Sequence, residues 1–176
     1  TGIQERIEKI SNNYLAYNED SSTIEDIKKI LFIKFLNNTN FDQELNLLSE
    51  IISNENAHYL DKIVILKNKL DFDYQNLTKE YKSIRNLYLK EKIFDKKNNY
   101  LVKIIIPIID IKPSNKTSFS NKDLSIFKDT KELLNNKKFS ESIERLKSLK
   151  FQEEYLDDFI YKVSIYADFK NTLELL

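Results

Sequence analysis

Glycine is almost absent from this chain, and its scarcity constrains the fold more than any other feature. The 176 residues include one glycine and two prolines. Tight turns between strands place residues at positive φ, where glycine has the lowest steric cost. A fold of short strands would need several such turns, whereas long helices can be joined by polar loops. The composition therefore predicts an all-α fold.

Apolar residues recur at intervals of three and four along most of the chain, as expected for amphipathic helices. The clearest stripe is Leu77, Tyr81, Ile84 and Tyr88. Similar stripes, separated by Asn-rich or Ser-rich breaks, predict helices near residues 24–35, 41–52, 59–70, 124–134, 139–146 and 156–173. Where the connections are short, consecutive helices are expected to pack antiparallel, as hairpins or as a helical bundle.

The sequence divides into a short N-terminal segment and one longer domain. Residues 1–20 carry apolar side chains at heptad spacing, which predicts either the end of a coiled coil or an ordinary leading helix. Residues 21–176 are predicted to form one helical domain. Because Pro107 cannot continue a helix without losing a hydrogen bond, residues 108–112 are predicted to be extended. The remaining parts of the domain are a basic amphipathic segment at 77–106, a helical hairpin at 120–149 and a terminal helix at 151–176.

The residue types that carry catalysis or bind metals are scarce. The chain has no cysteine and a single histidine, His58. A zinc site needs further His or Cys ligands, and a Ser–His–acid triad would have to use His58 without a nucleophile elbow. One glycine is too few for a glycine-rich phosphate loop. We therefore expect no enzymatic activity, no cofactor and no metal site.

The most distinctive local composition lies between residues 77 and 103, where lysines outnumber acids and alternate with aromatic residues. The whole chain, in contrast, has 28 basic and 28 acidic residues. A basic amphipathic segment is typical of a helix that lies on an anionic membrane or docks a partner helix. It is equally typical of a core helix with a solvated lysine face. Nucleic-acid binding is disfavoured, because domains that bind phosphate backbones usually have a basic net charge.

Three local patterns follow one another in a characteristic order. The first is Phe-x-x-Glu-Leu, at Phe41, Glu44 and Leu45, and the second is an extended stretch that ends in Lys112-Pro113. The third is the hairpin turn Lys137-Lys138-Phe139, followed by a closing helix over 155–176. In this order the patterns resemble the C-terminal region of the mitofilin-like inner-membrane proteins of alphaproteobacteria. The resemblance covers roughly residues 24–176.

That resemblance implies a membrane-shaping scaffold on the periplasmic side of a bacterial inner membrane, or alternatively at the mitochondrial inner membrane. A transmembrane anchor and most of a coiled coil would lie upstream. Basic residues would meet lipid headgroups, and apolar residues would insert shallowly. The expected membrane-binding residues are Arg85, Leu87, Tyr88, Lys90, Lys92, Phe94, Lys96, Lys97, Tyr100, Leu101 and Lys103.

A homodimer is also expected. The apolar stripes at the two ends of the chain are larger than a small monomer can readily bury, and an exposed apolar patch usually marks an interface. The family resemblance favours a dimer as well. The expected self-association residues are Ile3, Ile7, Ile10, Tyr155, Phe159, Val163 and Tyr166. The alternative function is a soluble helical adaptor, whose hairpin looks like half of a tetratricopeptide repeat. Such an adaptor would bind a protein partner, for example one of the cell envelope.

Overall fold

A computed structural model describes Gly2 and residues 24–94, 121–149 and 154–176. Within these ranges the chain forms seven α-helices and no strand, which confirms the predicted all-α fold. The helices are α1 (Ile24–Leu36), α2 (Asp42–Ile51), α3 (Ala57–Lys69), α4 (Tyr74–Phe94), α5 (Asn121–Asn135), α6 (Phe139–Lys147) and α7 (Glu154–Leu175), with a 3-10 turn at Asn54–Asn56. The predicted extended segment at 108–112 lies outside the described residues, as does the segment 1–20 apart from Gly2.

The chain divides into two compact units. The first unit comprises Thr1–Asn76 together with Ile165–Leu176, and the second unit is the continuous stretch Leu77–Ser164. The sequence predicts a single helical domain over 21–176, and the structure divides that region in two. The division falls within α4 and α7, so each of these helices contributes residues to both units.

The core of the first unit is a cluster of aromatic rings. Phe35 of α1 stacks on Phe169 of α7, with ring centroids 3.6 Å apart. Tyr166 meets Phe35 edge-on at 5.5 Å, and its hydroxyl donates a hydrogen bond to the carbonyl oxygen of Phe72 at 3.2 Å. Such ring pairs stabilise a core beyond the area they bury. The last turns of α7 therefore complete a core that α1 begins.

A buried ion pair joins α1 to α2 within the first unit. The ammonium nitrogen Nζ of Lys34 lies 2.8 Å from Oε1 of Glu44, and the two side chains are only 6% and 0% exposed. Charges this far from water are rare in proteins unless they are paired. The pair therefore adds a buried charged contact to the packing of α1 against α2.

Aromatic packing also forms the core of the second unit. The ring of Tyr81 in α4 contacts Phe127 of α5 at 6.3 Å and Phe159 of α7 at 5.8 Å. Its hydroxyl donates a hydrogen bond to the carbonyl oxygen of Phe127. Tyr88, two turns further along α4, packs edge-on against Phe127 at 5.2 Å. One face of α4 is thus committed to the interior of this unit.

Helices α5 and α6 form the hairpin of the second unit. They pack against each other, with Phe139 and Leu146 of α6 buried. At the surface of the hairpin, the Arg145 guanidinium donates to Oδ2 of Asp129, with Nε at 3.0 Å. The hairpin that the sequence predicts over 120–149 thus corresponds to helices at Asn121–Asn135 and Phe139–Lys147.

Two helix ends adopt the left-handed conformation without glycine. Asn38 after α1 has a φ of 50°, and Lys137 after α5 has a φ of 58°. After α5, the Lys138 amide donates to the carbonyl oxygen of Leu133 at 2.9 Å, which is the long hydrogen bond of a Schellman motif. Asparagine tolerates this conformation fairly well, whereas lysine is strained in it. The hairpin turn therefore forms without glycine, with a lysine at its left-handed position.

The buried tyrosines make the fold sensitive to alkali. Burial raises the pKa of Tyr81 and of Tyr166 well above the ordinary tyrosine value, and it raises the pKa of Tyr74 to about 12. Ionisation would bury a charge and remove the hydroxyl donors of Tyr81 and Tyr166. A raised pKa means that the folded state favours the neutral form, so this stability is complete below the ordinary pKa of about 10 and is lost as the pH rises above it.

We therefore expect the free energy of unfolding to fall steeply above pH 10. Each of Tyr81 and Tyr166 should contribute a slope of at most about 1.4 kcal/mol per pH unit. Denaturant unfolding monitored by circular dichroism at increasing pH, together with tyrosinate absorbance, measures both effects. Ionisation of all tyrosines near pH 10 with unchanged helicity would contradict this expectation.

Candidate membrane-contact surface

The inner side of α4 is filled by the stripe that the sequence predicts. Leu77, Tyr81, Ile84 and Tyr88 are all buried, and Tyr88 is only 1% exposed. The sequence places Tyr88 both in this stripe and among the membrane-binding residues, and the structure allows only the first role. Because its ring packs on Phe127 inside the second unit, Tyr88 is removed from the membrane-binding set.

The outer side of α4 is defined by Lys79, Lys82, Leu87 and Lys90. Lys79 and Lys82 are exposed, Lys90 is half-buried, and Leu87 is 37% exposed. With 3.6 residues per turn, these four positions fall on the half of the helix opposite the buried stripe. The helix therefore presents three ammonium groups and one apolar side chain to solvent on the same side.

The charge of this surface is almost entirely positive. Between Tyr74 and Lys90 the only acidic residue is Glu80. Its Oε1 lies 2.7 Å from Nζ of Lys162 in α7, so an ammonium group offsets the carboxylate. Arg85 lies at the edge of the surface, where Nη2 donates to Oδ1 of Asn86 at 2.9 Å. The outer side of α4 thus keeps its positive charge in the folded unit.

The other predicted membrane-binding residues follow along the chain. The structure places Lys92 and Phe94 in the last turn of α4. Five more lie outside the described residues: Lys96, Lys97, Tyr100, Leu101 and Lys103. Of the predicted set, the outer side of α4 therefore contains Leu87 and Lys90, with Arg85 at its edge, and it also contains Lys79 and Lys82.

The structure corrects the predicted self-association surface on α7. Phe159, Val163 and Tyr166 are fully buried, and Tyr155 is half-buried. Phe159 packs on Tyr81 in the second unit, and Tyr166 packs on the aromatic cluster of the first, so the chain itself covers this stripe. The other three predicted residues, Ile3, Ile7 and Ile10, lie outside the described residues.

His58 is an exposed side chain on the first turn of α3. Its Nδ1 lies 3.0 Å from the carbonyl oxygen of Glu55, and its ring lies 3.9 Å from that of Tyr59. Over the described ranges, no group of three or more His, Asp or Glu side chains is arranged to hold a metal ion. None of the helices described has the length and hydrophobicity needed to cross a membrane.

Sequence reasoning missed the ion pair between Lys34 and Glu44. Both residues stand at inner positions of their helices, next to the buried Phe35 and one turn before the buried Leu48. A charged residue at an inner position is a signal of a buried polar contact, because burial without a partner is costly. In the sequence, Glu44 is distinguished only as part of the Phe-x-x-Glu-Leu pattern. Its partner depends on how α1 and α2 pack.

Comparisons with protein-family models, with curated proteins and with solved structures found no match. The function of this chain must therefore be inferred from the surfaces of its own helices and from its sequence.

Proposed function

We propose that this chain is a non-enzymatic helical scaffold that self-associates and contacts an anionic membrane through the outer side of α4. One observation carries the proposal. Lys79, Lys82 and Lys90 share that side with the exposed Leu87, while Lys162 offsets the charge of Glu80. The mitofilin-like order of the sequence patterns supports a location on the periplasmic side of an inner membrane, or at the mitochondrial inner membrane.

The contact is mainly electrostatic. Because the inner side of α4 is anchored in the core of the second unit, the helix is already folded before it meets a membrane. Each lysine near an anionic surface contributes about 1 kcal/mol, and salt screens that attraction. Leu87 supplies the apolar component alone among the described residues of this surface, since the ring of Tyr88 is buried. Lys92, Phe94, Lys96, Lys97, Tyr100, Leu101 and Lys103 belong to the same proposed contact on sequence grounds.

Replacing Lys79, Lys82 and Lys90 together by Glu should weaken binding to phosphatidylserine-containing liposomes by about a hundredfold or more. Three lost attractions of about 1 kcal/mol each account for that factor. Cosedimentation at low salt measures the binding, and circular dichroism checks that helicity is unchanged. Raising the salt concentration should weaken the binding of the parent protein in the same direction.

The matched control reverses three exposed lysines on the hairpin, Lys128, Lys131 and Lys147. It changes the net charge by the same amount and should bind liposomes far better than the α4 variant. Equal loss in both variants would show that net charge, rather than the outer side of α4, governs the interaction. A parent protein that ignores anionic liposomes at low salt would overturn the membrane contact.

The alternative is a helical adaptor that binds a protein partner through its hairpin and terminal helix. The burial of Tyr88 favours it, because a peripheral helix without an aromatic anchor loses much of its apolar affinity for a bilayer. In an adaptor the lysines of α4 take no part in binding. Their reversal would change partner binding by no more than about 0.5 kcal/mol.

A further inference from the structure

Helix α3 has a buried side and an exposed side within the first unit. Ile63 and Leu66 are buried. On the other side, Val64 is 43% exposed and Ile65 is 54% exposed, although both are β-branched apolar residues. Adjacent exposed apolar side chains on a helix are candidates for an interface.

The exposed side of α3 has a regular pattern. Asp61 and Asn68 are both exposed and are seven residues apart, which places them two turns apart on nearly the same line of the helix. Val64 and Ile65 lie midway between them, one on each side of that line. We call these four residues the outer patch of α3. It has an apolar centre with a polar residue at each end.

This pattern is complementary to itself when two copies of the helix run antiparallel. Val64 then faces Val64 of the other copy, Ile65 faces Ile65, and Asp61 comes beside Asn68. The Asn68 amide can donate to the Asp61 carboxylate, and the exposed Lys69 next to it adds a favourable charge. A parallel arrangement would instead place the two Asp61 carboxylates against each other. Complementarity of charge and hydrogen bonding therefore selects the antiparallel pair.

We propose that the outer patch of α3 is a self-association surface on which α3 of a second copy packs antiparallel about a two-fold axis. Such a contact is isologous, so it closes at a dimer. One helix pair buries little area, and the dimer should therefore be weak and form at high protein concentration. The inference deepens the self-association in the proposed function. The α3 contact involves neither α4 nor lipid. An experiment can therefore disprove the α3 dimer without disproving the α4 membrane contact, and the reverse also holds.

The absence of cysteine from the chain allows a direct test by site-specific cross-linking. Val64→Cys and Ile65→Cys should each form a disulfide dimer with a second copy of the same variant. Asp61→Cys and Asn68→Cys should cross-link slowly when alone and at least tenfold faster when mixed. Disulfides require closely approaching backbones, so the pattern reports the register of the two helices. Ser140→Cys, exposed on α6, is the control for random collision.

Cross-linking no faster than that of Ser140→Cys at every position would overturn the proposal. Faster linking of Asp61→Cys to itself than to Asn68→Cys would overturn the antiparallel register. The second measurement uses the double variant Val64→Asp, Ile65→Asp. Its dimer dissociation constant in sedimentation equilibrium should be at least tenfold higher than that of the parent, with unchanged helicity. Liposome binding by the same variant reports on the α4 contact separately, because the outer side of α4 is intact in it.

Discussion

Replacing Tyr88 by Asp is expected to unfold the second unit. The ring is 1% exposed and packs edge-on against Phe127. Removing a buried aromatic ring costs about 3–5 kcal/mol, and a carboxylate in its place adds the cost of burying a charge. The sum is comparable to the entire stability of many small domains. Chemical denaturation followed by circular dichroism should show an early transition or a partly unfolded protein without denaturant.

The neighbouring Leu87 supplies the matched control. Leu87→Asp makes a similar chemical change one residue away, on the outer side of α4, where the side chain is 37% exposed. We expect it to change the free energy of unfolding by less than about 1 kcal/mol. If Tyr88→Asp instead kept the parent helicity and unfolding midpoint, its ring would not belong to the core. A direct role of Tyr88 at the membrane would then become tenable again.

Breaking the buried ion pair from one side should be almost as damaging. Glu44→Leu leaves the Lys34 ammonium in the interior without the carboxylate at 2.8 Å. Loss of one partner from a buried pair typically costs about 3–5 kcal/mol, because the remaining charge stays desolvated. The double variant Lys34→Met with Glu44→Leu removes both charges. It should be close to the parent protein in stability, or more stable.

Urea unfolding of the parent, both single variants and the double variant completes a double-mutant cycle. We expect a coupling energy of several kcal/mol, since the two side chains touch. A cost below about 1 kcal/mol for either single variant would mean that water reaches the pair in solution. Lys138→Met offers a comparison, because its exposed ion pair with Glu141 should contribute less than about 1 kcal/mol.

The helices could be predicted because their signal is local. A stripe such as Leu77, Tyr81, Ile84 and Tyr88 specifies both a helix and its buried side, and all four residues are buried. The terminal helix, predicted over 151–176, is found at Glu154–Leu175. Asn-rich breaks mark helix ends for a physical reason, since asparagine tolerates the left-handed conformation that Asn38 adopts after α1.

What an apolar stripe packs against could not be predicted, because that depends on tertiary structure. The spacing that places Phe159 and Val163 on one face of α7 is the same whether that face meets a second copy or the chain's own core. In the structure Phe159 and Val163 face the chain's own core, and Tyr88 does so too. The contact between Lys34 and Glu44 could not be predicted from the sequence either, because it depends on the angle at which α1 and α2 pack. The outer patch of α3 is visible only once the inner side of that helix is known.

Because the first unit is discontinuous in sequence, its core cannot be completed until Ile165–Leu176 has been translated. Phe35 and Phe41 leave the ribosome early, but their partner Phe169 comes from the stretch Ile165–Leu176. The whole second unit is translated in between and, being continuous, can fold before the first is complete. At about 5–20 residues per second, the early aromatic side chains remain without their partner for roughly 6 to 26 seconds. During translation we therefore expect the part of the first unit that precedes Leu77 to expose apolar side chains that the finished fold buries, a state that favours aggregation.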